Sequence, residues 1–163
     1  MSPSEFIDNV RQTSPELPPN DLLDLINDPE FRYSVCRELN KSVGTTDRAL
    51  GRHLLQLDID SLRGESSGMT DELRLSALLL YKIGNVEDAP LLWEAKTVNF
   101  DTVCGLDIQL LVGAGVDETI AYLRDLGDEQ SLGAVSYIEG CRATGDFNHL
   151  DTYAGQWDKY FSN

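Results

Sequence analysis

Cys141, His149 and Asp151 are of the types that covalent catalysis uses: a thiol nucleophile, an imidazole base and a carboxylate to orient it. Cys141 falls on an apolar stripe with Leu132, Val135 and Ile138, and His149 falls at a turn, so their spacing reads as accidental. His53 is the only other histidine. Paired carboxylates abound, but no His/Cys ligand set accompanies them, and no metal site is expected. Gly113-Ala114-Gly115 follows an apolar helix rather than a strand and lacks the lysine of a phosphate loop. The chain therefore does not read as an enzyme, and no cofactor is expected.

What remains is charge. The 163 residues carry 13 Lys and Arg against 28 Asp and Glu, a net charge of −15. Phosphate backbones and anionic membranes repel such a chain, so direct nucleic-acid or membrane binding is disfavoured and a basic protein partner is favoured. From Gly84 to Asn163 there are 4 basic and 14 acidic residues, so two thirds of the excess lies in the second half. Three widely spaced cysteines, Cys36, Cys104 and Cys141, read as reduced and mostly buried thiols of a cytoplasmic protein. The N-terminus lacks the pattern of a signal peptide, and no apolar run is long enough to span a bilayer.

The elements that must carry these charges are helices. Ser2-Pro3-Ser4-Glu5 is a helix start with a capping box, and the helix ends before Pro15. Asn20 is expected to cap a second helix, and Asp28-Pro29 opens a third. A fourth is expected from Thr46 to Leu57. Gly64 to Gly68 reads as a flexible loop. Leu73 to Ile83 is apolar on nearly every side, as a central helix must be, and Phe100 to Val112 reads the same way. Helix-interior Gly105, Gly133 and Gly140 each cost up to about 1 kcal/mol against alanine, with close helix approach as the expected reason. Nothing reads as a strand.

Three turns align: Gly84-Asn85-Val86-Glu87-Asp88, Gly115-Val116-Asp117-Glu118-Thr119 and Gly145-Asp146-Phe147-Asn148-His149. Each follows an apolar helix and precedes one with a large residue at a matching offset, Leu92, Leu123 or Tyr153. Lys82 through Leu92 resembles a HEAT-type repeat turn: a Gly-Asp-like turn, an acidic residue, then an Ala-Val-Pro-like helix start. The resemblance implies an all-α fold, a right-handed stack of antiparallel helical hairpins over 69–163. Residues 1–68, which show no such repeat, are expected to form an N-terminal helical cap on the same single domain. It also implies a concave protein-binding face and no activity of its own.

About half the acids in the repeat half sit at helix starts, where they complement the helix dipole. The rest are open to two readings, a solvated surface or a binding face. On the second reading Asp88, Trp93, Glu94, Asp117, Glu118, Tyr122, Asp125, Asp151 and Asp158 would meet a partner, with aromatics as anchors rimmed by carboxylates. Trp157, with aromatic neighbours, reads as core. Small acidic helical proteins of this kind resemble bacterial immunity proteins, which implies a toxin domain such as a nuclease as the basic partner. Two other classes stay open: a HEAT-like lyase or hydrolase with carboxylates in a cleft, and an acidic mimic of nucleic acid.

Overall fold

The computed structural model describes residues 1–64 and 68–163, and these fold into helices with no strand among them. Ten α-helices follow in order: α1 Pro3–Thr13, α2 Asn20–Leu23, α3 Pro29–Asn40, α4 Arg48–Leu62, α5 Asp71–Ile83, α6 Ala89–Lys96, α7 Phe100–Gly105, α8 Val116–Leu126, α9 Glu129–Ala143 and α10 Leu150–Phe161. Short 3₁₀ turns precede α4 and α6 and link α7 to α8. No helix is long and apolar enough to cross a membrane among the described residues.

Local chemistry sets most of the starts. Ser2 and Glu5 form the reciprocal capping box of α1, and the Asp28 and Thr70 side chains cap α3 and α5. Pro19, not Asn20, precedes α2, and α4 begins later and runs longer than its sequence pattern indicates. The expected loop at Gly64 to Gly68 lies largely outside the described residues.

α5 is the centre. Leu73, Leu75, Ala77, Leu78, Leu79 and Leu80 are all buried, and each of the leucines contributes roughly 1.5–3 kcal/mol. α3, α4, α6 and the 108–112 turn pack around α5, and α10 folds back onto it. α4 also packs on α6, α6 on α8 and α9, and α8 on α9. The buried apolar residues form one cluster from Phe6 to Phe161, crossing the division at residue 68. Gly84 ends α5 in the left-handed region at φ 72°, its N–H bonded to the Leu80 carbonyl. A side chain at Gly113 would collide with the Tyr81 backbone, so that turn requires glycine.

Phe100 to Val112 is not one helix. α7 stops at Gly105, and Phe100 is 73 % exposed. The cause is Lys96. Its buried ammonium donates to the Val103 and Leu106 carbonyls at 2.7 and 2.5 Å, satisfying the carbonyls that a continuing helix would have used. The cysteines also differ from expectation: Cys36 is buried, Cys141 half-buried and Cys104 exposed.

Two turns share one ionic device. Asp47, buried before α4, receives Arg11 at 2.8 and 3.0 Å. Asp88, buried before α6, receives Arg48 at 2.9 and 3.1 Å and also Arg52. The feature that marks the Gly84 turn thus recurs within residues 1–68, where the sequence shows no repeat.

Candidate partner-binding surface

α9 begins at Asp128, whose carboxylate accepts from the Ser131 N–H at 2.9 Å and its hydroxyl at 2.7 Å. Its inner side, Ser131, Ala134, Val135 and Ile138, is buried. At about 100° per residue, Glu129, Leu132, Gly133, Ser136, Tyr137, Gly140 and Ala143 fall on the opposite arc. All seven are exposed, and only Glu129 is charged. On a chain of net charge −15, this is an unusually neutral strip.

The strip has aromatic neighbours. The Trp93 ring of α6 lies 5.7 Å from that of Tyr137, and the Lys96 ammonium sits 5.0 Å from the Tyr137 ring centroid. The Trp93 indole N–H is buried without an acceptor among the described residues. Burial, followed by the Cys141 and Cys104 thiols and Asp146, pushes the Tyr137 phenol above its ordinary value. Phe100 and Cys104, four residues apart on α7, share a face and are both exposed. Burial pushes the Lys96 ammonium below its usual range, opposed by Cys141, Asp107 and Cys104.

Leu132 at 45 %, Tyr137 at 37 % and Phe100 at 73 % exposure are among the chain's few exposed large apolar side chains. Carboxylates edge them: Glu94 paired with Arg63, Glu139 paired with Arg124, Asp101 accepting from the Gly68 N–H, and Glu129. A β-carbon added at Gly133 or Gly140 would meet nothing within 4 Å. Close helix approach inside this chain is therefore not their reason, although each costs α9 roughly 1 kcal/mol against alanine.

The residues expected to meet a partner are scattered. Asp88 is fully buried beneath Arg48 and Arg52 and serves the fold. Asp158 holds Lys82 at 2.6 Å and Asn40 at 2.9 Å, docking α10. Asp117 pairs with Arg142 at 2.6 Å. Glu118, Asp125 and Asp151 are exposed and make no ion pair among the described residues. Tyr122 is half-buried on α8 near Arg48. Trp93 and Glu94 alone border the strip. The aromatics do not share a face: Tyr153 and Trp157 turn instead to Asp107, at 2.8 and 3.2 Å. Trp157 is half-buried, with the Arg74 guanidinium 4.7 Å from its ring centroid.

Catalytic groups do not converge. No hydrogen bond joins Cys141, His149 and Asp151 among the described residues. Burial and a bond to Asp146 push the Cys141 thiol up, the opposite of what a thiolate nucleophile needs. No group of three or more metal-ligating side chains occurs among the described residues. A cleft of about 580 Å³ between α3, α5 and α10 holds Lys82 on Asp158 and Lys41 on Glu38, while Arg37 reaches only the Asn163 carbonyl oxygen at 3.4 Å.

The neutral strip was missed by sequence reasoning because acids dominate the composition. Its signal was Gly133 and Gly140, seven residues apart on a helix that is apolar on both sides. No protein-family model, curated protein or solved structure matches the chain.

Proposed function

We propose that this chain is a protein-binding inhibitor or adaptor that engages its partner through α6, α7 and α9. One observation carries the reading: Tyr137 and Leu132 stand exposed on the neutral strip of α9, with the Trp93 ring 5.7 Å from that of Tyr137, and Phe100 stands exposed on α7. Interfaces have this anatomy, an aromatic centre depleted of charge within a polar rim. The rim and the net charge favour a basic partner. The repeated Asp–Arg device at Asp47 and Asp88 supports the hairpin-stack reading of the scaffold.

A narrower version is an immunity protein that neutralises a basic toxin domain, a nuclease for example. It rests on size, acidity and helical class. An enzymatic role draws no support from the scattered acids and the raised Cys141 thiol.

The test is affinity capture from a lysate of the source organism with two baits, the wild type and Phe100→Ser/Tyr137→Ser, at low and high salt. The expected result is one basic partner, stoichiometric with the wild-type bait, weakened by salt and lost from the variant. A partner held equally by both baits would overturn this surface. A partner with toxin activity that the wild type suppresses would support the immunity version.

A further inference from the structure

The seat of α10 is polar. Of the twelve residues of α10 only Tyr153 and Phe161 are buried, and the helix packs chiefly on α5. Side-chain bonds from α3, α5 and the residue before the 108–112 turn hold it. Asp107 accepts from the Tyr153 hydroxyl at 2.8 Å and the Trp157 indole N–H at 3.2 Å. Asp71 accepts from the Tyr160 hydroxyl at 2.8 Å. Lys82 and Asn40 donate to the Asp158 carboxylate at 2.6 and 2.9 Å. The Asp71 and Asp158 carboxylates stay partly open to water. By contrast, α3, α4, α5 and α6 pack on one another through buried leucines, Leu39, Leu54, Leu73 and Leu92 among them.

The helix has little to sustain it alone. No side-chain bond caps its start at His149 among the described residues. Gly155 sits in its interior, and Thr152, Trp157, Asp158 and Tyr160 are weak helix formers. Isolated helices of about 12 residues are marginal in water even when rich in alanine. α10 is therefore helical because it is docked. We infer that α10 is a strap whose docking and folding are one event: it releases and loses its helix as a unit while α3, α4, α5 and α6 stay folded. Release bares the Asp71 and Asp107 carboxylates and the Tyr81 ring, which in the docked state lies 5.3 Å from that of Tyr153. It also removes the wall that Phe161 gives the cleft between α3, α5 and α10. The strap is thus an order–disorder switch built into the fold.

Gly155 separates a strap from a helix that melts with the whole. A β-carbon there would meet nothing within 4 Å, so alanine adds helix propensity to α10 and no new contact. Gly155→Ala should hold the strap down without changing the stability of the rest. Asp107→Leu, which takes the acceptor from Tyr153 and Trp157, should let it go.

The experiment is urea unfolding of the full chain carrying Trp93→Phe, which leaves Trp157 as its one tryptophan. Trp157 fluorescence is compared with far-UV circular dichroism. The expected result is a Trp157 transition at lower urea than the main dichroism transition. Gly155→Ala should move the Trp157 transition to higher urea and leave the main one in place, and Asp107→Leu should move it to lower urea. Hydrogen exchange on the chain with Trp93 intact gives a second reading. Amides of Leu150–Phe161 should exchange roughly tenfold or more faster than those of α5, with a weak dependence on urea. Gly155→Ala should slow them about fivefold. Coincident fluorescence and dichroism transitions would overturn the inference, as would α10 amides that exchange only together with those of α5. So would a Gly155→Ala variant that shifts both transitions together.

Discussion

Arg48 closes on Asp88, 40 residues further along the chain, through hydrogen bonds of 3.1 and 2.9 Å. The carboxylate is fully buried, while the Arg48 and Arg52 side chains are 30 % and 41 % exposed. The asymmetry sets the consequence of removal. Asp88→Ala frees two guanidinium groups that can reach water, and should cost about 2 kcal/mol. Arg48→Met leaves a buried carboxylate with Arg52 alone and should cost as much or more. Arg52→Met should cost less than either. Urea denaturation of the three variants gives the ranking.

Asp107 holds α10 at a distance in sequence. Its Oδ2 accepts from the Tyr153 hydroxyl and the Trp157 indole N–H. Burial and this carboxylate push the Tyr153 phenol far above its usual value, so it remains a donor at any working pH. Asp107→Leu would leave the buried hydroxyl unpaired, at a cost of roughly 1–3 kcal/mol. Amide exchange in Leu150–Phe161 should accelerate before exchange in α5 does.

His53 gives a pH signature. Burial alone pushes its imidazole below the ordinary value. The folded state thus favours the neutral ring, and its contribution to stability is present above the unfolded pKa of about 6.5. That contribution falls as pH drops through 6.5 and is fully lost below the folded value. His53→Gln should flatten the pH dependence of stability between pH 8 and pH 5 relative to the wild type, as urea titrations at both pH values would show.

The partner-facing residues should be nearly silent in the free protein. Phe100→Ser removes a side chain that is 73 % exposed and should change stability by about 0.5 kcal/mol or less. Tyr137→Ser also loses the Trp93 contact and should cost about 1 kcal/mol. Thermal unfolding of both variants checks that lost binding is not lost folding.

Much of the scaffold was legible locally. Ser2 and Asp28 cap the helices their side chains announce, and the run around Leu78 is buried as its composition requires. The break after Gly105 was not legible. Gly105 was read as helix-interior, whereas it is the last residue of α7, and the carbonyls on either side of it are taken by Lys96, which reaches that of Leu106 from 10 residues upstream. Asp88 was misplaced for a related reason: a carboxylate at a helix start looks solvated until Arg48 and Arg52 cover it. The site was hidden because α9 is apolar on both sides, and periodicity cannot say which side faces out. Gly133 and Gly140 were visible but were assigned to internal packing, and only their open surroundings reverse that assignment.

The most direct test of the account is hydrogen-exchange mass spectrometry of the wild-type chain, free and bound to its captured partner. The account predicts new protection concentrated in Ala89–Gly105 and Glu129–Ala143. Protection confined to α1–α4, or to the exposed acids of α8 and α10 with α9 unchanged, would contradict it.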